Sequence, residues 1–228
     1  MLLTPHRHVI FPQKTETPVQ RKNKPVLFLD RDGVIIKEKH YLSRPDQVEL
    51  EYYINEFILF FKKRGWLVIV VTNQSGISRG YFGWNQYEDV TDRMIQLLDS
   101  DCCPDAIYAN SGLDHKSESW RKPSPGMILQ AAVDFALTDL STSVLIGDKV
   151  TDLLAGHHAG IHNNILLKTG HGITESMDIV NAFKDMDNGI YPVENNVNDI
   201  SCLKDNLQIY ADLEEALNNH YPYSKISR

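Results

Sequence analysis

With 228 residues, 42% of them hydrophobic and 23% charged, the chain can bury a substantial core unaided, which excludes a small scaffold that depends on disulfides or metal. A net charge of -7 argues against a broad attraction to nucleic acid or to an anionic membrane, so any phosphate site must be local. Cys102, Cys103 and Cys202 give neither a disulfide framework nor a zinc-ligand spacing, and no apolar run suits a bilayer span or a signal-peptide core; a cytoplasmic location is expected.

Along the chain, residues 1–24 carry Arg7, Lys14, Arg21, Lys22 and Lys24 against Glu16, with prolines and no apolar period, and predict an extended, solvated arm. The run Val26 to Leu29 predicts a buried strand, followed by a long loop and a helix from about Asn55 to Arg64 that stops before Gly65. A second strand is expected over Leu67 to Val71. After a polar, glycine-rich turn, Tyr87, Val90, Met94, Leu97 and Leu98 recur at helical spacing and predict a helix from about Asn85 to Ser100. Ala106 to Ala109 reads as a third strand, and Ser124-Pro125 as the N-cap and first residue of a helix reaching about Leu137. Ser143 to Ile146, Val150 to Ala159 and Ile165 to Leu167 predict strand, helix and strand. An acid-rich insertion over 172–206, with room for a short helix near Met177 to Met186, precedes a last strand, Leu207 to Tyr210, and a helix capped by Asp212 and running through Leu217. Alternating strands and helices of this kind imply an α/β fold: a three-layer, Rossmann-like parallel sheet with helices on both faces, over one domain from about 25 to 220 and a short tail at 221–228.

Chemistry gathers where the strands end. Asp30-Arg31-Asp32-Gly33 follows the first strand directly, so a rigid element delivers one carboxylate to the sheet edge and a turn swings a second over the same point. After the second strand, Thr72-Asn73-Gln74-Ser75-Gly76 offers a hydroxyl, amides and a backbone whose N–H groups can face an oxyanion. Arg121-Lys122-Pro123 places two cations before a helix start, a setting suited to phosphate. The fourth strand ends in Gly147-Asp148-Lys149-Val150-Thr151-Asp152, where Asp148 also suits an N-cap. A carboxylate pair, a hydroxyl, a cationic pair and another carboxylate on one rim are not demanded by folding; together they indicate catalysis.

These motifs, in this order, resemble the haloacid dehalogenase-like (HAD) phosphatase superfamily. The longer ones, Thr72 to Ile77 with Arg79-Gly80-Tyr81-Phe82, Arg121-Lys122-Pro123 with Pro125-Gly126-Met127, and Gly147-Asp148-Lys149, are similar to the D-glycero-D-manno-heptose bisphosphate phosphatase and histidinol-phosphatase branch, over about Pro25 to Gly170. The resemblance implies an open site without a large cap domain. It also implies a Mg2+-dependent phosphomonoesterase in which Asp30 attacks phosphorus to form an aspartyl-phosphate and Asp32 serves as acid and then base. Mg2+ would be held by the Asp30 carboxylate, the Asp32 backbone carbonyl and the Asp148 carboxylate. Thr72 and Lys122 would bind the transferring phosphoryl group. Asn73, Gln74, Ser75, Arg121 and Lys149 would contact substrate or tune the metal site, and Asp152 would tie down its loop.

Departures from the pattern carry expectations of their own. Many members hold a structural zinc through cysteine clusters in the loop before Arg-Lys-Pro; here Ala109 to Trp120 contains one histidine and no cysteine, so no structural zinc is expected. Val34 stands where a threonine is common. Asn110, His115 and Trp120 are expected to overhang the pocket and help choose substrate, and His157-His158 to be exposed rather than ligating. The leading substrate is D-glycero-D-manno-heptose 1,7-bisphosphate, a small phosphorylated metabolite. Histidinol phosphate, a polynucleotide 3′-phosphate and a catalytically silent binding module follow in that order. No nucleic-acid or membrane partner is expected, and the oligomeric state is open with a monomer as the default.

Overall fold

The computed structural model describes residues 2–4, 6–12, 24–113, 119–188 and 199–220. Eight strands, β1 (Leu2–Thr4), β2 (Arg7–Ile10), β3 (Val26–Leu29), β4 (Leu67–Asn73), β5 (Ala106–Asn110), β6 (Val144–Gly147), β7 (Asn163–Leu167) and β8 (Leu207–Tyr210), form one sheet in the order β1-β2-β5-β4-β3-β6-β7-β8. From β5 to β8 every pairing is parallel. Among the described residues, seven helices accompany them: α1 (Ile54–Lys62), α2 (Ser75–Ser78), α3 (Trp84–Leu97), α4 (Gly126–Asp134), α5 (Val150–His158), α6 (Gly172–Asp187) and α7 (Leu213–His220).

Both faces of the sheet are buried, which is why its strands read as unbroken apolar runs. Within β3 and β4 the period of two still operates: Val26, Phe28, Leu67, Ile69 and Val71 point into a core with Met127 and Ile128 of α4, Leu153 and Leu154 of α5 and Ile179 of α6. Their neighbours Leu27, Leu29, Val68 and Val70 meet Phe57 and Phe61 of α1, Val90 and Met94 of α3 and Leu213 of α7 on the other side. The predicted α/β class, the parallel sheet and the helices on both faces hold. The chain leaves β3 toward β4 and β5, then returns to add β6, β7 and β8 on the far side, so β3 and β6 flank the point where the strand order reverses. Their carboxyl ends define a crevice there.

Three expectations need correcting. Part of the N-terminal arm is not a solvated tail: β2 pairs antiparallel with β5, His8 opposite Ala109 and Val9 opposite Tyr108, and β1 folds back on β2. His8 stacks on Trp84 with ring centroids 5.1 Å apart, its Nε2 lies 2.7 Å from Glu88 Oε1, and Val9 is buried. The arm thus covers the backbone groups that β5 would otherwise expose as a sheet edge. The helix after Arg-Lys-Pro starts one residue later than expected, with Pro125 as N-cap, because a turn bonded from Ser124 N to Arg121 O fills the preceding residues. It ends at Asp134, where the positive φ of Ala136 (52°) reverses the chain. The helix in the acid-rich insertion is longer than expected: it runs over Gly172–Asp187 and anchors Ser176, Ile179 and Met186. Residues 189–198 lie outside the described residues, as do 13–23 and 221–228 of the arm and tail. Among the described residues, no helix is long and apolar enough to cross a membrane.

Candidate active site

At the crevice a cavity of about 230 Å³ is lined by the predicted Asp30, Asp32, Thr72, Asn73, Gln74, Ser75, Lys122 and Lys149, with Asp152 beside them. Asp30 follows β3 immediately, and its N–H donates to Ile146 O of β6 at 3.0 Å, so both strands fix its backbone. Lys122 arrives from the opposite side on a turn containing the cis Lys122–Pro123 peptide. Its ammonium lies 2.7 Å from Asp30 Oδ1, 2.6 Å from Asp152 Oδ1 and 2.8 Å from Val71 O. Burial works against its charge, but Asp152 and Asp30 outweigh burial and hold the ammonium well above the usual lysine range.

Asp148 follows β6 and is fully buried. Burial first, then the neighbouring Asp30 and Asp152, push its carboxyl up to about 8; Asp152 is raised for the same first reason, against the pull of Lys122. Ligand oxygens of Asp30, Asp148 and Asp152 lie within 4.8 Å of one another. Asp148 Oδ2 accepts the His171 N–H at 2.8 Å. Its Oδ1 is buried and accepts no hydrogen bond among the described residues, with the Lys149 ammonium 3.8 Å away. The backbone pressed against Asp148 has room for glycine alone, since a Cβ at Gly33 would come within 2.5 Å of Oδ2 and one at Gly170 within 2.3 Å. A convergence of hard oxygen donors with an orphaned carboxylate oxygen is the donor chemistry of a small divalent cation, so the residues present fit Mg2+.

The remaining predicted residues divide by what they touch. Asn73 clamps the Lys122 backbone, donating from Nδ2 to Lys122 O (3.2 Å) and accepting Lys122 N–H on Oδ1 (3.1 Å). Gln74 Nε2 donates to Asp32 Oδ2 (2.9 Å) and to Thr72 Oγ1 (2.8 Å), so its amide orients two predicted catalytic groups. Asp152 Oδ2 accepts the Lys149 N–H at 3.1 Å at the start of α5, which ties down the loop as expected, and its Oδ1 also supports Lys122. Arg121, half-buried, is not among the described residues that line the cavity; its Nη1 donates to Gly112 O at 3.3 Å. Trp120 corrects the substrate-choosing expectation, because it packs in the core 5.8 Å from the Tyr108 ring. Asn110 is likewise buried, donating to Gly112 O, and His115 and the rest of 114–118 lie outside the described residues, so the zinc expectation falls there. His158 is exposed, as expected, with Nδ1 3.1 Å from Pro123 O, whereas its neighbour His157 is half-buried rather than exposed.

Sequence reasoning missed Arg31. It is 1% exposed and forks onto Asp32 through Nε (3.1 Å to Oδ2) and Nη2 (3.1 Å to Oδ1), while Nη1 donates to Thr91 Oγ1 at 3.3 Å. A signal was present in α3, where Thr91 interrupts the buried stripe one turn after Tyr87. Also missed was the cavity mouth, Glu38, His40, Tyr41 and His171, drawn from the long loop after β3 and from the loop after β7; Phe82, from the Arg79 to Phe82 motif, joins them there.

A HAD-hydrolase-like family model matches residues 119–184. The chain is 40% identical over 171 residues to a D-glycero-alpha-D-manno-heptose-1,7-bisphosphate 7-phosphatase of Photorhabdus laumondii, covering 69% of this chain and 90% of that one. It is 37% identical over 167 residues to a D-glycero-beta-D-manno-heptose-1,7-bisphosphate 7-phosphatase of Helicobacter pylori, covering 70% and 94%. Among solved structures, the D,D-heptose 1,7-bisphosphate phosphatase of B. bronchiseptica complexed with magnesium and phosphate superposes with a TM-score of 0.67 at 24% identity, covering 87% of this chain and 99% of that one, a likeness of fold.

Proposed function

The chain belongs to the HAD-like phosphatases, and from that premise we propose that it hydrolyses a phosphomonoester through an aspartyl-phosphate on Asp30, with D-glycero-D-manno-heptose 1,7-bisphosphate as its substrate. The observation that carries the reading is the meeting of Asp30, Lys122 and Asp148 at the strand-order reversal, with Asp30 and Lys122 on the wall of a cavity open to solvent and Asp148 buried behind it. Asp30 attacks phosphorus as the ester P–O bond breaks, and Asp32 gives its proton to the leaving oxygen. Asp32 then takes a proton from the water that attacks the acyl phosphate, which releases inorganic phosphate and restores the Asp30 carboxylate. Lys122 and Thr72 stabilise the phosphoryl oxygens, and the Asn73 clamp keeps the Lys122 backbone in place for this. The Asp30 and Asp148 carboxylates and the Asp32 backbone carbonyl would hold Mg2+, which when bound supplies positive charge that offsets repulsion between phosphate and carboxylate.

Beyond the reacting group, Glu38, His40, Tyr41 and His171 give the mouth hydrogen-bonding groups and an aromatic surface, a suitable lining for a polyhydroxylated substrate. Lys149, on the same wall, adds a cation toward an anionic substrate. Sampling Mg2+-dependent phosphate release from heptose bisphosphate, histidinol phosphate and a 3′-phosphorylated oligonucleotide, with Asp30→Asn as control, tests the reading. Preference for the heptose ester and loss of turnover in the variant are expected. Faster release from either rival would overturn the substrate assignment, and turnover that survives Asp30→Asn would overturn the nucleophile.

A further inference from the structure

We propose that Arg31 is a positioning residue for the acid/base step: its guanidinium, referenced to α3 through Thr91 and Tyr87, holds the Asp32 carboxylate in the orientation that delivers a proton to the leaving oxygen. The proposal rests on the reading of Asp32 given above and adds a part to it. Arg31 lies between the two motif aspartates, at a position where a solvated side chain would serve the turn equally well. Instead the fold leaves it 1% exposed, the largest side chain so enclosed among the described residues. A guanidinium is costly to remove from water unless its donors and charge are met.

Here the planar fork meets both Asp32 oxygens, Nη1 meets the Thr91 hydroxyl, and the cation sits 5.1 Å from the centre of the Tyr87 ring. Thr91 in turn donates to Tyr87 O one helical turn earlier, so its hydroxyl is itself held. Gln74, directly after β4, adds a further donor to Asp32 Oδ2. Two contacts from one rigid plane fix both the position of a carboxylate and its rotation, which a single point charge does not. Asp32 stands on a turn, and a turn residue needs such support if its proton is to arrive within hydrogen-bond reach of one ester oxygen. The anchor is a helix whose Val90 and Met94 pack into the core, so the orientation is referenced to the body of the fold.

As the P–O bond breaks, an alkoxide must take the Asp32 proton, whereas p-nitrophenolate leaves without one. The value of kcat/KM reports steps through leaving-group departure and excludes the later hydrolysis of the acyl phosphate. The measured quantity is therefore the ratio of kcat/KM for glycerol 3-phosphate to that for p-nitrophenyl phosphate, with heptose bisphosphate as a second alkyl ester. Arg31→Lys keeps the charge and loses the fork, and is expected to lower this ratio at least tenfold. Thr91→Val, away from the cavity, lowers it about threefold with the fold intact, and Thr91→Ser, which retains the hydroxyl, restores it. Equal losses on alkyl and aryl esters in Arg31→Lys, or a Thr91→Val ratio equal to that of the parent, would overturn the proposal and leave a structural role only. If Arg31→Lys fails to fold, the Thr91 pair decides in the same way. A parent protein inactive on all three esters with Mg2+ would instead overturn the phosphatase reading, and this role with it.

Discussion

Replacing Lys122 by methionine removes the ammonium wedged between Asp30 Oδ1 at 2.7 Å and Asp152 Oδ1 at 2.6 Å, and leaves both carboxylates buried beside Asp148. At an effective dielectric constant near 20, each of these contacts corresponds to roughly 6 kcal/mol of attraction, much of it cancelled by the desolvation of the three groups. Removing one partner from a buried pair of this kind exposes the uncancelled part, about 3–5 kcal/mol. For a chain of this length that corresponds to a fall in Tm of roughly 6–20 °C. The comparison belongs in EDTA, by urea unfolding and thermal melting, so that no divalent cation supplies the missing charge. Adding Mg2+ should recover part of the loss, because a cation then neutralises the same oxygens. Adding Asp152→Asn to Lys122→Met should also recover stability, since one of the stranded carboxylates is gone. A loss below about 1 kcal/mol, or strict additivity of the two substitutions, would refute the electrostatic account of the cluster.

Two further outcomes follow from the same oxygens. In metal-free protein the folded-state Asp148 carboxyl, raised to about 8, lies above its unfolded value of 3.8, so between these limits the folded state binds the extra proton and stability falls as pH rises. The urea midpoint in EDTA should therefore drop from pH 5 to pH 8, and Asp148→Asn should flatten the slope; a variant slope as steep as the parent's contradicts this. Gly33→Ala meets two obstacles, a φ of 89° and a Cβ 2.5 Å from Asp148 Oδ2, and should cost about 1–2 kcal/mol while raising the Mg2+ concentration needed for half-maximal activity. A melt and a Mg2+ titration that match the parent would show that Asp148 is not confined by that turn.

The positions of the strands along the chain and the strand-end motifs were legible because both faces of the parallel sheet are buried and because each motif directly follows an apolar run. Asp30, Thr72 and Asp148 could thus be placed from local sequence alone. The roles of Asn73 and Gln74 were not, since an amide looks alike whether it faces a ligand or, as here, the Lys122 backbone and the Asp32 carboxylate. Arg31 was hidden by the usual exposure of arginine, and its partners Tyr87 and Thr91 lie some sixty residues away on α3. The polar loop around Trp120 predicts an overhang, but the indole has more to gain beside Tyr108 in the core. The pairing of the arm is hidden for a related reason: four residues of β2 have no apolar period of their own, and only the unpaired edge of β5 gives them a place.

The direct trial of the central claim is to capture the covalent intermediate. Protein mixed with heptose bisphosphate and Mg2+ is quenched in acid within milliseconds, reduced with borohydride, which converts an aspartyl-phosphate to homoserine, and mapped by mass spectrometry. The account predicts homoserine at position 30, lost when substrate or Mg2+ is omitted. Phosphate release with Asp30 unreduced throughout the first turnover would contradict it.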